Sequence, residues 1–488
     1  MPISPYWWFI ALYSLSLLFI GWYAARRSQE SSLKDYYLAG SSLGPVALFF
    51  TLYATNYSGG SLFGIPGKAY STGLEVAPML VGLTGVGFVL LAYAPKLYRI
   101  AQRQQFLTLG DFIHWRYQYR PLLWLVNGLA VFSLTAYVLS NLLAVGLLLE
   151  TASGGHISFA MGVITVSIIM AVYESLGGMR SVVWSDIIQG SLLLIGALVA
   201  CVLAFMFEPK AIPALVQSLS EQHQKLTSGE FPVVSFISLS IVITFAACVY
   251  PQKIQRIYAA KNLATTLTAY KVMLFMPLIT LLPLILVSMS APAWIPGLEG
   301  RDTERVMLYV IASLEQHIDG ARILLTIYLA AGVAAIMSTI DSALLTMGSM
   351  ITHDGIRPKY PQMSQQNLQR LGKWLSWGLM VPMVTAAIVL PSSVWGVLVF
   401  MLEMMLQLSP AVLLGVWLPQ LRGRPMFVGM LLGLVVTLSL KFIEGWGMPL
   451  QIHSGLWGVM VNLLVIFVGS MMARRASPST SPNTSRGQ

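Results

Sequence analysis

Three carboxylates stand inside long apolar stretches of a chain in which only 10% of 488 residues are charged. An ionisable residue within such a stretch is a functional candidate by default. Asp341 lies in Ala334-Ala335-Ile336-Met337-Ser338-Thr339-Ile340-Asp341-Ser342, where Ser338, Asp341 and Ser342 fall at i, i+3 and i+4 and share one helical face. Hydroxyl and carboxylate oxygens grouped this way suit a hard cation such as Na+, by the oxygen-ligand logic that serves Ca2+. A lone serine or threonine in a membrane helix often just bonds the carbonyl four residues back, but an Asp in the same turn favours an ion site. Asp186, in Val183-Trp184-Ser185-Asp186-Ile187-Ile188-Gln189, lies near a helix end, where capping or interfacial water competes with ligation. Glu403, with Gln407 one turn on, has two readings: contact with a substrate, or a protonated carboxyl bonded to a neighbouring helix.

Polar residues and glycines also concentrate at Ala54-Thr55-Asn56-Tyr57-Ser58-Gly59-Gly60-Ser61, followed by Gly64, Pro66 and Gly67. Inside lipid every backbone polar group needs a partner. An unwound segment here would offer carbonyls to a cation and a half-helix N-terminus to an anionic group. A glycine-rich helix contact is the alternative; the density of polar side chains favours the break. A second interruption, Ala246-Ala247-Cys248-Val249-Tyr250-Pro251-Gln252, comes five spans later. Breaks at matching places in two five-helix halves point to an inverted-repeat transporter.

The elements that must hold these residues are membrane helices. With 56% hydrophobic residues and a mean hydropathy of +0.72, the chain reads as an all-α polytopic membrane protein. Apolar segments at 5–25, 43–70, 74–94, 122–152, 156–176, 183–208, 234–251, 263–293, 321–350, 374–391, 394–420, 425–443 and 454–472 predict thirteen transmembrane helices. They form one transporter domain over 1–475. Its core repeats run over 43–208 and 234–420, its peripheral helices are 5–25, 425–443 and 454–472, and a disordered cytoplasmic tail covers 476–488. The longest outer loops are 209–233 and 294–320, the second holding a short helix over the outer face.

The net charge of +10 orients these helices. With the N-terminus outside, the inner loops and tail collect most of the Lys and Arg, including Arg26, Arg27, Lys96, Arg99, Arg116, Arg120, Lys253, Arg256, Arg357, Lys359, Arg474 and Arg475. The outer loops hold Lys210, Lys225, Arg301, Arg305 and Arg322. That bias predicts N-out, C-in and removes the reason to expect nucleic acid. Lys68, Lys271 and Lys441 fall within spans and can snorkel to an interface. Cys201 and Cys248 form no CxxC, the histidines are scattered, and no GxxxxGK[ST] occurs, which argues against redox, metal and ATP-driven chemistry. No catalytic constellation is present, so the chain is not expected to be an enzyme.

Asp35-Tyr36-Tyr37-Leu38-Ala39-Gly40 through Pro66-Gly67-Lys68-Ala69-Tyr70, the stretch Gly177 to Asp186, Pro251 through Arg256 to Ala260-Lys261, and Ala335 to Ser342 stand in the order found in the sodium:solute symporter family, which this chain resembles. That family includes proline, pantothenate, monocarboxylate, sialic-acid and sodium/glucose carriers. The resemblance implies a LeuT-type 5+5 inverted-repeat core with discontinuous first and sixth core helices, and sodium-driven uptake by alternating access. It implies a Na+ site from the carbonyls of Ala54, Tyr57 and Ala335 and the hydroxyls of Ser338 and Thr339. A possible second cation site matches Asp186, Ser338 and Ser342, with Asp341 where the family has serine. Substrate contacts map to Asn56, Ser58 and Ser61, to Tyr137, to Tyr250 in the sixth-helix break, and to Glu403 and Gln407 of the tenth core helix.

The proline carriers' sixth-helix aromatics are replaced by Ile243 and Ala247, and Asn56 stands in place of their acidic residue. Pro251-Gln252 departs from the sugar carriers' motif. By elimination a small organic acid, such as a monocarboxylate or pantothenate, is favoured over an amino acid or a sugar. A substrate sensor or channel on the same fold is the rival function. The expected partners are a small-molecule solute, sodium ions and membrane lipids, for a monomer in the plasma membrane (the inner membrane in a bacterium).

Overall fold

Prolines and glycines decide where the helices begin, bend and stop. The computed structural model describes residues 32–314, 321–390, 393–443 and 448–475. The segment 5–25 and the tail 476–488 lie outside the described residues. Among those described, all regular structure is helical, and a single isolated parallel bridge joins Leu43 to Ala260.

The chain runs through α1 (Leu33–Leu38), α2 (Pro45–Asn56), α3 (Ile65–Thr72), α4 (Pro78–Gln104), α5 (Leu109–Tyr117), α6 (Arg120–Ala152) and α7 (Phe159–Phe207). It continues with α8 (Ala211–Ser228), α9 (Val233–Ala247), α10 (Pro251–Ala259), α11 (Leu263–Met273), α12 (Met276–Ser290), α13 (Val306–Ser313) and α14 (Ala321–Ser349). The last helices are α15 (Gln365–Val389), α16 (Val394–Leu406), α17 (Gly423–Phe442) and α18 (Ser454–Arg475). Proline opens α2, α4, α6 and α10 within their first two positions, where its missing N–H costs nothing.

Among the described residues nine helical spans are long and apolar enough to cross a membrane, ten when α8 and α9 count as one bent span. Thirteen were expected, and the difference has identifiable causes. Segment 5–25 is not described, segment 43–70 is split into α2 and α3, and segment 156–176 survives only as the short apolar stretch Phe159–Val172. The two segments at 156–176 and 183–208 meet end to end in α7 at Gly178, with φ 57 and ψ −154. A Cβ there would sit 2.7 Å from the Tyr36 carbonyl oxygen, so both the backbone angle and the contact require glycine.

Two further expectations change. Residues 209–233, read as a loop, contain the 18-residue helix α8. Segment 263–293 keeps its bounds as one span, with a turn at Leu274-Phe275 between α11 and α12. Segment 374–391 begins earlier, because Ser364 caps α15 by accepting from the Asn367 N–H. A short helix does form in 294–320, as α13 after the 3-10 turn Gly300–Arg305.

Burial sorts the helices into layers. The span containing α14 is 94% buried and those of α6 and α16 are 78% buried, whereas that of α15 is 28%. A helix apolar all round belongs at the centre of a bundle, and α14 packs there against α6 and α7. α17 and α18 form a close pair. Gly433 and Gly458 face each other across it, since a Cβ on either would fall within 2.7 Å of the other's carbonyl oxygen, the small-residue contact that lets membrane helices approach.

Candidate ion and solute site

The polar cluster after Ala54 ends α2. Tyr57 is extended, with φ −105 and ψ 104, which takes its carbonyl out of the helical ladder. The chain restarts through a π-turn, Gly60–Gly64, into α3. Ser58 caps the restart, its hydroxyl accepting from the Gly60 N–H at 3.3 Å while its own N–H donates to the Ser61 hydroxyl. The Gly59 N–H donates to Asn141 Oδ1 at 2.9 Å, and Asn141 Nδ2 donates to the Tyr137 carbonyl. One N–H of the half-helix start expected to meet an anionic group, that of Gly59, is therefore bonded to α6.

α14 packs its hydroxyls against this break. Ser338 Oγ donates to the Ala54 carbonyl at 2.8 Å and lies 3.1 Å from the Ala335 carbonyl; Thr339 Oγ1 donates to Ala335 at 2.9 Å. The Tyr137 hydroxyl donates to the Thr55 carbonyl at 3.1 Å and lies beside Ser58 and Thr339. Ala54, Tyr57, Ala335, Ser338 and Thr339 are all fully buried. The Ala54 and Ala335 carbonyls and the Ser338 and Thr339 hydroxyls are thus brought together as neutral oxygens, the donor type a hard cation takes once the hydroxyls turn their protons away.

One turn further along α14 the chemistry is different. Arg256, counted from sequence among the inner-loop charges, is wholly buried. Its Nη2 donates to Ser342 Oγ at 2.5 Å and lies 3.9 Å from Asp186 Oδ2; its Nε reaches Thr51 Oγ1 at 3.3 Å. Thr51 donates to Asp186 at 2.5 Å, and Thr55 and Ser342 share a 3.0 Å bond. Asp186 and Ser342 thus meet around a guanidinium, with Asp341 buried on the same turn of α14 as Ser342. Lys253, also assigned to an inner loop, is 2% exposed with its ammonium 4.8 Å from the Tyr250 ring centre.

The second break, between α9 and α10, faces the first across a central cavity of about 30 Å3. Asn56, Ser58, Ser61, Tyr137 and Tyr250 supply its polar lining, and Ile65, Met79, Leu83, Ile243, Leu398 and Leu402 its apolar walls. The Tyr137 and Tyr250 rings lie 5.7 Å apart. That volume holds a water or two, so an organic solute enters only if the surrounding helices part.

Five of the seven expected substrate residues line this cavity; Glu403 and Gln407 do not. α16 turns Leu398 and Leu402 toward the cavity, so the next residue, Glu403, points about 100° away. It bonds Lys441 at 2.9 Å and His453 Nδ1 at 3.1 Å, while Gln407 donates to Thr437 and the Gly455 carbonyl. Lys441, expected to snorkel, is 32% exposed and pairs with Glu403. Asn141, Thr51 and Arg256 were not among the expected site residues. Asn141 left a faint signal, an amide in an apolar helix one turn after Tyr137.

Further contacts tie the helices together at the two ends of the bundle. At one end the turn Gly300–Arg305 lies on α3, where a Cβ on Gly67 would come within 2.8 Å of Glu304 Cα. Glu304 accepts from the Trp395 N–H at 3.1 Å, Tyr70 donates to the Ile295 carbonyl, and Arg305 pairs with Glu150. Burial pushes the Glu304 carboxyl above its ordinary range, against the pull of the Trp395 and Val394 N–H groups. At the opposite end Leu43 exchanges backbone bonds with Ala259 and Lys261, Arg180 pairs with Asp35 at 2.7 Å, and His353 bonds Asp111 at 3.0 Å.

A helical bundle with two interrupted helices meeting at a buried polar cavity is the architecture of a secondary transporter. The sodium:solute symporter family model matches residues 36–433, and the chain belongs to that family. It is 26% identical to the osmoregulated proline transporter OpuE of Bacillus subtilis over 71% of this chain and 70% of that protein. It is 28% identical to the sodium/pantothenate symporter of Escherichia coli over 74% and 75% of the two chains, and 28% identical to the sodium/proline symporter of Staphylococcus aureus over 71% and 67%. Its fold is similar to that of a Na+-coupled sialic acid symporter, with a TM-score of 0.77 and 16% identity over 96% and 97% of the chains.

Proposed function

We propose that this protein imports a small organic solute together with Na+ by alternating access. The observation that carries the reading is the Ser338 hydroxyl on the Ala54 carbonyl, which places two oxygen donors from different helices at the α2 break. Na+ binds among Ala54, Tyr57, Ala335, Ser338 and Thr339 and holds α2 against α14. Solute binds alongside at Asn56, Ser58, Ser61, Tyr137 and Tyr250. Coupling arises because Na+ has different affinities for the outward-open and inward-open arrangements.

In this reading the fold is a LeuT-type 5+5 repeat with thirteen spans, N-out and C-in, over 1–475, and acts as a monomer in the plasma membrane. The Gly300–Arg305 turn is then the outer cover and the His353–Asp111 contact belongs to the inner one. Arg256 serves as a built-in cation at the position around Asp186, Asp341 and Ser342, so a single Na+ drives each cycle.

The solute carries a carboxylate. Proline and pantothenate, named for the relatives, both bear one, and the described cavity lining has hydroxyls and an amide but no charged side chain. Bound Na+ supplies the balancing charge next to it. The favoured class remains a small organic acid, with an amino acid next.

Proteoliposomes test this. An inward Na+ gradient should concentrate a labelled carboxylate above its external level, and collapsing that gradient should release it. Equilibration without accumulation would indicate a channel, and binding without uptake a sensor.

A further inference from the structure

A second polar cavity, of about 390 Å3, lies beside α3 and shares no lining residue with the central one. Its walls are the last turn of α3, one flank of α8, and the end of α12. α8 has three faces. Ala211, Leu215, Ser218 and Gln222 recur at spacings of four and three and turn toward the protein. Ile212, Val216, Leu219 and Leu226 form an exposed apolar stripe next to them. Gln217, Glu221 and Lys225 fall on the other flank and line the cavity. α8 turns 108° from α9, so with α9 crossing the bilayer α8 lies along the surface, its apolar stripe in the interface and its polar flank toward water.

At the back of the cavity Gln222 is only 7% exposed, and its Oε1 has no hydrogen-bond partner. A buried amide oxygen without a donor is unfavourable. Gly73, with φ +66, makes room for this side chain, since a Cβ there would lie 2.4 Å from Gln222 Nε2. The Glu221 carboxylate lines the same cavity, and Lys225 supplies a cation one turn along.

We propose that this cavity is a binding site for a small zwitterion bearing a primary ammonium. The ammonium donates to Gln222 Oε1 and Glu221, and the acid group pairs with Lys225. Two sources carry that chemistry: a free amino acid, or the headgroup of an ethanolamine phospholipid reaching over from the interface beside α8. Because the ligand touches α3, the helix leading from the central break, its binding is linked to the position of α3.

Saturation-transfer NMR on the full chain in phosphatidylcholine nanodiscs, in K+ buffer without Na+, tests the site with glycine and with glycine betaine, which lacks N–H donors. Glycine should give a saturable signal and betaine none, and Glu221→Gln and Gln222→Leu should each lower the glycine signal at least fivefold. Repetition in phosphatidylethanolamine nanodiscs separates the sources: lost glycine binding assigns the cavity to the headgroup, and unchanged binding assigns it to free solute. Equal signals from glycine and betaine, undiminished binding in Glu221→Gln, or no glycine binding in phosphatidylcholine overturns the proposal. Sodium-dependent binding at the central site does not enter this measurement, so its outcome is independent of the symport reading.

Discussion

Arg256 donates to Ser342 across 2.5 Å of the bundle centre, with the Asp186 carboxylate 3.9 Å from the same nitrogen. The contact places a permanent positive charge one helical turn from the Ser338 and Thr339 hydroxyls. It also joins three elements, α7, α10 and α14, that are far apart in sequence.

Removing one partner of a buried ion pair leaves the other charge uncompensated and costs about 3–5 kcal/mol. Arg256→Gln should therefore lower thermal stability sharply, and Asp186→Asn added to it should recover a substantial part. A double-mutant cycle on the melting temperature in detergent measures this. Additive losses in the double mutant would mean that the two side chains do not depend on each other.

Ser338→Ala combined with Thr339→Ala removes both hydroxyls and leaves the three backbone carbonyls in place. The apparent KM for Na+ should rise at least tenfold, with solute binding at saturating Na+ weakened much less. Uptake assayed across a Na+ titration gives both numbers. An unchanged Na+ dependence would remove these residues from the ion site.

Glu403 is bonded to Lys441 and His453 on the far side of α16 from the cavity. Glu403→Gln should reduce stability by about 1–3 kcal/mol, the cost of disturbing a buried charged hydrogen bond, while leaving the solute KM within about twofold. Tyr137→Phe should raise the solute KM severalfold, with a stability loss of about 1 kcal/mol for the bond to the Thr55 carbonyl. Comparing melting temperature with KM for the two variants separates a structural tie from a binding contact.

Glu304 holds the cover on α3, and burial raises its pKa above the ordinary value of 4.5. A carboxyl with a raised folded pKa favours the covered form while protonated. That stabilisation is complete below about pH 4.5 and is lost as pH rises through the folded value. Glu304→Gln keeps an acceptor for the Trp395 N–H and removes the charge, so it should hold the cover closed at neutral pH. With Cys201 and Cys248 replaced by Ala, accessibility of Ile65→Cys to a thiol reagent should fall in this variant at pH 7 and match the parent at low pH.

Much of the fold could be read from the chain because membrane helices follow strong local rules. The apolar periodicity marked the spans, and the density of Ser, Gly and Asn at 54–61 marked the α2 break, because lipid leaves unpaired backbone no other use. Residue types and spacing by themselves singled out Ser338, Asp341 and Ser342, whereas Thr339 and Tyr137 came only with the resemblance to the symporter family. Which face of a helix looks inward did not stand out. Glu403 and Leu402 are neighbours in sequence, but about 100° of rotation sends one to α17 and α18 and the other to the cavity.

Arg256 shows the larger limit. Local sequence assigns an arginine near a span end to water, since a lone buried guanidinium is strongly unfavourable. Only the packing of α10 against α2 and α14 brings Asp186, Thr51 and Ser342 around it. The sequence by itself determined that this protein is a helical membrane protein with an interrupted helix, because those features rest on composition and short-range spacing, and its motifs resembled those of a symporter family. The tertiary structure decided which buried charges neutralise one another and which side chains share a cavity, because each depends on contacts between residues as far apart in the chain as Asn56 and Leu402.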